Sequence, residues 1–260
     1  MEMGLNLPSG VLAFLFTDIQ GSTPLWEKDP AGMREALDLH NAALHKAIKA
    51  HDGQVFKIVG DEFQAVFVEP LQAVNAAVAA QRALANVAWD RIGPLRVRMG
   101  IHTGHGEAQG TDYAVAHTFN RVARIMSVGH GGQIILSQET AVLVRGQLPQ
   151  GVTLRDMGRH NLKGLRQQEH LFQIVAAGLA AEFPPLKTLD VKRHNLPAQV
   201  TPFIGRESEI EEIQELIAPQ RAGSRDVRLL TLTGPGGTGK TRLALQVAEH
   251  MLPEFADGVF

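Results

Sequence analysis

Residues Gln54 to Glu69 constrain the fold more than any other stretch, because QVFKIV and EFQAVFVE are two strand-like runs with only Gly60 and Asp61 between them. Two residues can close only an antiparallel pair, so a tight hairpin with Asp61 near its tip is expected. The flanking segments fix what surrounds it. Val11 to Ile19 (VLAFLFTDI) is a short apolar run bounded by Pro8, Ser9 and Gly10 before and Gly21 after, which reads as a buried strand. From Pro30 to Asp52, Leu37, Leu44 and Ile48 share one helical face, and Gly53 is placed to stop the helix. Alanine-rich Leu71 to Trp89 reads as a helix ending before Gly93-Pro94. Leu95 to Ile101 (LRVRMGI) alternates apolar and basic residues, as a strand with one wet face does. The order strand, helix, strand, strand, helix, strand is the split βαβ arrangement of ferredoxin-like folds, an α+β form of the α/β class.

A Gly-rich, irregular stretch up to Val115 leads into a helix from about His117 to Val128. Further strands are expected at Gln133 to Leu136, Val152 to Asp156 and Leu171 to Val175. After Ala176 the periodicity dissolves into a proline-containing segment. The expected organisation is a domain over 9–178, a linker over 179–200 and a second unit over 201–260. In that second unit Ser208 to Ile217 and Thr241 to Met251 read as helices and Arg228 to Thr233 as a buried strand.

Composition removes several function classes. The chain has no cysteine, which excludes disulfides, thiolate metal sites and cysteine nucleophiles and fits a reducing compartment. Lys+Arg 25 against Asp+Glu 27 gives no global attraction to nucleic acid or an anionic membrane, and 5% aromatics argue against a base-stacking platform. No apolar run approaches the roughly 20 residues of a membrane span, and the N-terminus lacks the basic start of a signal peptide. The expectation is a cytoplasmic chain with no membrane partner and no direct nucleic-acid binding.

Asp18 ends the first strand and Asp61 sits at the hairpin tip. In the split βαβ arrangement the first strand lies beside the hairpin, so the two carboxylates can converge. Hard anionic groups at strand ends suit Mg²⁺ or Mn²⁺, which take oxygen ligands and leave positions for substrate phosphates. Either Asp alone would more simply cap a turn.

FTDIQGST (Phe16 to Thr23), KIVGDEF (Lys57 to Phe63), RMGIHTG (Arg98 to Gly104), NRVARI (Asn120 to Ile125) and NLKGL (Asn161 to Leu165) resemble, in order, the motifs of class III nucleotide cyclases. The resemblance covers about Val11 to Ala176. It implies that Asp18 and Asp61, with the Ile19 carbonyl, hold two divalent ions. One would activate the ribose 3′-hydroxyl, and the other would brace the triphosphate for in-line attack on the α-phosphorus. It further implies that Asn120 orients the ribose and Arg124, one turn on, stabilises the pentavalent phosphorus. Arg98 and Lys163 match the cations that grip the β- and γ-phosphates.

Lys57 matches the position that reads the base. Lysine only donates, which suits the adenine N1 acceptor, whereas guanylate cyclases resemble one another in having a Glu there. The expected N6 acceptor, an Asp or Thr seven positions before the Asn, is replaced by Tyr113, with Asp112 one residue earlier. Three solutions are open: a one-residue bulge brings Asp112 into the pocket, the Tyr113 hydroxyl accepts, or the base is read loosely. GDEF also invites comparison with diguanylate cyclases, but Val59 precedes it and the flanking motifs belong to the other family. His102 and His105 have a spacing that could bind metal, although such residues beside glycines are more often core or loop.

GPGGTGKT (Gly234 to Thr241) matches the P-loop pattern between a strand and a helix. Gly234, Gly237 and Gly239 would let backbone amides cradle phosphates, Lys240 would reach the β- and γ-phosphates and Thr241 would ligate Mg²⁺. FIGRESEI (Phe203 to Ile210) resembles the entry segment of signal-transduction ATPases that follow cyclase domains in bacterial regulators. No acidic strand follows before Phe260, so this portion is expected to be a fragment without hydrolytic activity. The leading expectation for the chain is an adenylate cyclase acting on ATP as a head-to-tail homodimer. One copy would supply Asp18, Asp61 and Arg98, and the other Lys57, Asn120, Arg124 and Lys163. Alternatives are a weakly catalytic nucleotide-binding module regulating the ATPase, and a guanylate cyclase.

Overall fold

The computed structural model describes residues 7–114, 117–189, 196–197, 203, 205–217, 227, 229–252, 254–255 and 258–260. The elements in chain order are β1 (Gly10–Ile19), α1 (Ser22–Lys28), α2 (Pro30–Ala50), β2 (Gln54–Val59), β3 (Glu62–Phe67), α3 (Pro70–Ala85), β4 (Val97–Gly106), β5 (Ala108–Gln109) and β6 (Asp112–Tyr113). They continue with α4 (His117–Ser127), β7 (Ile134–Ser137), α5 (Gln138–Val144), β8 (Val152–His160), β9 (Glu169–Ala176), α6 (Glu207–Ile217) and α7 (Lys240–His250). The chain divides into two units, residues 1–190 and 191–260.

The first unit is built on a seven-stranded sheet in the order β2-β3-β1-β4-β7-β9-β8. Its first four strands have the ferredoxin-like order, and the β2–β3 hairpin closes on Gly60, whose φ of 63° supplies the left-handed position of a two-residue turn. β1 is central and is buried on both faces, which explains its near-continuous apolar run. Ala13, Leu15 and Ile19 join the core under α2 and α3, while Leu12, Phe14 and Phe16 join the core on the opposite face with Val122 and Met126 of α4. By the period of two, Asp18 falls on the α4 face.

Glycines set two close approaches. A Cβ on Gly100 of β4 would lie 2.7 Å from the Met126 backbone nitrogen, so α4 rests directly on the strand backbone. After α2 the positive φ belongs to Asp52 (57°), and Gly53 is required instead for packing, since a Cβ there would lie 2.3 Å from the Phe67 ring. The expected helix-stop glycine is therefore a steric requirement one residue beyond the turn. Two seven-residue helices, α1 and α5, and the β5–β6 hairpin lie where no regular structure was expected.

A polar network sits in the core on the α4 side. Arg121 of α4 bonds Glu169 at 2.7 Å and Glu139 at 3.0 Å, and the buried His102 places Nδ1 2.8 Å from the Ser137 hydroxyl. Glu169 is only 4% exposed and is paired by that guanidinium. His102 is buried and His105 exposed, so alternation separates them along β4 and they do not form a metal pair.

In the second unit α6 and α7 bury Ile210, Ile213, Leu243, Val247 and Met251 against one another. The strand expected over Arg228 to Thr233 is not formed at residues 229–233, and position 228 lies outside the described residues. Residues 179–189, expected as linker, pack on the first unit, where Leu186 is 2% exposed.

Two outcomes follow from these contacts. Gly100→Ala should destabilise the chain by about 1–3 kcal/mol through overpacking against α4, read as a lower urea midpoint; an unchanged midpoint would contradict the close approach. Burial chiefly depresses the His102 imidazole from 6.5 to about 4, with Glu139 pulling it up and Arg121 down. Because its folded pKa lies below its unfolded one, stability is full above pH 6.5 and is lost as pH falls toward 4. His102→Gln should therefore flatten the fall of unfolding midpoint over that window, and an equally steep fall would refute the assignment.

Candidate active site

Asp18 closes β1, and the β1–β4 register sets it directly opposite Arg98. The guanidinium reaches the Asp18 Oδ2 with Nε at 2.7 Å and Nη2 at 2.6 Å, and its Nη1 donates to the Ser127 carbonyl at the end of α4 at 3.2 Å. Across the hairpin, the Asp61 Oδ2 accepts the Ile19 amide at 3.2 Å. The two carboxylates thus converge on the end of β1, as the hairpin beside the first strand requires. Their charge is felt by neighbours. Burial raises the Glu62 carboxyl, and the charges of Asp18 and Asp61 push it further up against Gln64. Burial lowers the His40 imidazole while both aspartates pull it upward. Glu62 lies inside the KIVGDEF motif beside Asp61, which is the signal that could have singled it out, whereas His40 falls in none of the motifs.

These groups fit a divalent cation that shares its coordination with a ligand. Each aspartate uses one oxygen for the bonds above, leaving the other carboxylate oxygen to face an ion. Among the described residues no group of three or more His, Asp or Glu side chains forms a complete cage, so an ion here takes further oxygens from substrate or water.

A second group forms on β2 and the β5–β6 hairpin. Lys57 Nζ lies 2.6 Å from the Asp112 Oδ2, with the two side chains 45% and 42% exposed. A register shift in β2 between Val55 and Lys57 lets Phe56 pack with Phe14, Tyr113 and Phe119 while Lys57 turns outward. The irregularity thus lies on the lysine's strand, and Asp112 is presented by the β5–β6 hairpin opposite Gln109. Partial burial raises the Asp112 carboxyl, but the Lys57 ammonium and the Tyr113 amide together hold it below the usual range. Tyr113 is otherwise engaged: its ring is buried, its hydroxyl donates to the Pro8 carbonyl at 2.7 Å, and burial pushes its pKa to about 12.

The third group lies on α4. Thr118, Val122, Ile125 and Met126 are its buried face, which leaves Asn120 and Arg124 exposed one turn apart. Leu162, 1% exposed, anchors the loop that carries the exposed Lys163. A Cβ on Gly164 would lie 3.9 Å from the Arg124 Nε, so this loop abuts the arginine. Within one chain, then, Asp18, Asp61 and Arg98 gather, Lys57 and Asp112 gather, and Asn120, Arg124 and the Lys163 loop gather. Among the described residues no side-chain hydrogen bond or ion pair links one group to another.

In the second unit, Gly239 (φ 79°) caps α7, and Gly234 and Gly237 also take positive φ. Lys240 folds its ammonium onto the loop carbonyls of Gly234 at 3.0 Å and Pro235 at 2.6 Å, while Thr241 is exposed in the first helical turn.

Comparison with known proteins places the chain among relatives of two families. The family model described as adenylate and guanylate cyclase catalytic domain matches residues 8–176, and that of an AAA ATPase domain matches 202–260. An uncharacterized protein of Mycobacterium bovis is 36% identical over 206 residues, which is 78% of this chain and 70% of that protein. An adenylate cyclase of Neurospora crassa is 30% identical over 223 residues, 64% of this chain but only 10% of that much longer enzyme. An adenylate cyclase of Trypanosoma brucei, solved in its monomeric state, superposes with a TM-score of 0.64 at 24% identity, over 72% of this chain and 99% of that one. The family match spans the strands, hairpin and helix that carry all three groups of residues, and this chain therefore belongs to the adenylate and guanylate cyclase catalytic-domain family.

Proposed function

We propose that the chain is an adenylate cyclase, converting ATP to 3′,5′-cyclic AMP and pyrophosphate at a site completed by two copies of the chain. The observation that carries the choice of base is the Lys57–Asp112 pair, a donor and an acceptor 2.6 Å apart. Adenine presents an acceptor at N1 beside a donor at N6, which one cation and one carboxylate can satisfy together. The accepting Glu that resembles guanylate cyclases is absent from position 57.

Asp18 and Asp61, with the Ile19 carbonyl, would hold Mg²⁺ or Mn²⁺; two such ions lower the pKa of the ribose 3′-hydroxyl and neutralise the triphosphate. The residues of the chain do the rest. Lys57 and Asp112 hold the base and so fix the reach of the ribose. Asn120 orients the sugar, so that the 3′-oxygen forms its new bond to the α-phosphorus as the bond to the β-phosphate oxygen breaks. The hydroxyl proton passes to solvent and pyrophosphate leaves. Arg124 meets the charge that grows on the non-bridging oxygens with a planar donor fork. Arg98 and Lys163 hold the departing phosphates, for which Arg98 exchanges its bond to Asp18. The exposure of Asn120 and Arg124, which make no side-chain bond to Asp18 or Asp61 among the described residues, favours a site shared between two copies.

Purified chain with Mn²⁺ and ATP should yield cyclic AMP, and Asp61→Ala should lower kcat by roughly 10²–10³-fold, since metal charge stabilisation is worth several kcal/mol. Mixing inactive Asp61→Ala with inactive Arg124→Ala should recover roughly a quarter of wild-type activity, as one site of each mixed pair is intact; no recovery would refute the shared site. Lys57→Glu should move the ATP-to-GTP ratio of kcat/KM toward GTP by roughly tenfold or more, and an unmoved ratio would remove the lysine from base reading.

A further inference from the structure

Beyond β9 the chain does not leave the first unit but crosses it as a strap. Gln173 and Arg155 donate to the Ala181 carbonyl at 2.7 and 2.9 Å, and Arg155 also clasps the Glu182 carboxylate. His130 Nε2 lies 3.0 Å from the Pro185 carbonyl. The Lys187 amide then donates to the Val128 carbonyl at 2.9 Å, and the Leu189 amide to the Asn161 carbonyl at 3.1 Å. Leu186 and Thr188 are 2% and 6% exposed, the leucine in a cluster with Ile125, Val128 and Leu162. Alternation along this extended segment turns Lys187 outward between them.

The place to which Lys187 is delivered is specific. Its amide holds the Val128 carbonyl, next in chain to the Ser127 carbonyl that Arg98 holds. The Lys187 backbone and the Arg98 guanidinium therefore meet neighbouring carbonyls at the end of α4. Partial burial lowers the Lys187 pKa, and the Arg98 guanidinium lowers it further. Arg98 is offset by Asp18, but among the described residues Lys187 has no carboxylate partner. A fold that spends a buried leucine and two backbone bonds to set one unpaired cation beside another has made a place for a multiply charged anion.

We infer that Lys187, carried by the strap of residues 179–189, is a further phosphate-binding residue that works with Arg98 on the polyphosphate chain of the substrate. This assignment rests on the cyclase reading for the identity of the anion. It also makes the strap part of the catalytic unit, although its sequence reads as linker.

The test uses the full chain and two readouts. Inorganic tripolyphosphate with Mg²⁺ is titrated calorimetrically into wild type, Lys187→Ala, Lys187→Arg and Leu186→Ala, and KM and kcat for ATP are measured for each. Lys187→Ala should weaken tripolyphosphate about threefold to tenfold and raise KM by a similar factor with kcat within about twofold, the range for a partly exposed charge. Lys187→Arg should stay near wild type, and Leu186→Ala, which loosens the seat, should reproduce part of the loss with Lys187 present. The unfolding midpoint of Lys187→Ala should not move. Equal tripolyphosphate affinity in wild type and Lys187→Ala overturns the assignment, even if ATP is cyclised. Weakened tripolyphosphate binding with no nucleotide turnover in wild type would instead overturn the cyclase reading and leave the anion site standing.

Discussion

The pairing of β1 with β4 is the constraint on which the rest of the first unit depends. It runs in unbroken antiparallel register from Gly10 against Gly106 to Ile19 against Val97. Both strands are covered on both faces, so the register is set by which side chains each core accepts. A slip of one residue would turn Phe14 and Phe16 toward α2 and α3 and drive Asp18 into an apolar core. The same register that satisfies packing therefore delivers the carboxylate and its arginine to one face, at the one end where β1 runs out beside the hairpin tip. Gly100 adds the second requirement, because only a residue without a Cβ lets α4 lie so near β4 that Arg98 can reach its last carbonyls.

Much of this was legible in the residues because periodicity reports burial. β1 announces itself as a continuous apolar run, the hairpin by its two-residue break, α2 by its helical face and α3 by its alanine content, and the convergence of Asp18 and Asp61 follows from their order. What escaped has a common cause. The helices α1 and α5 are seven residues long, too short to show a repeat. The meeting of Lys57 with Asp112 depends on a register shift at Phe56, a residue whose ring goes to the aromatic cluster instead of following strand alternation. The strap is held mostly by main-chain carbonyls and amides, which no side-chain pattern encodes; Leu186 is its one strongly buried apolar anchor. Residues 229–233 err in the opposite direction, since LLTLT has strand composition but no partner strand among the described residues.

Charge is distributed on the same logic. The chain is close to neutral overall, yet its ionic groups are sorted into two classes. Arg121, Glu139 and Glu169 form a network that ties α4 to α5 and β9, with Glu169 fully committed to it. Asp18, Asp61, Arg124, Lys163 and Lys187 sit at or near the surface with fewer protein partners than their charge could use. The first class fixes the position of α4, and the second is what α4 and its neighbours present.

The contact between Lys57 and Asp112 has a consequence for selectivity. In the absence of a base, each group is the other's occupant, tethered in place at an effective concentration that no free solute matches. A ligand read by these two groups must displace an internal competitor, and half of a match is of little use, since a molecule that satisfies only the lysine leaves the carboxylate stripped of its cation. In the proposed base-reading role, the pair favours a ligand that offers an acceptor and a donor side by side, and two half-exposed side chains release each other at little cost.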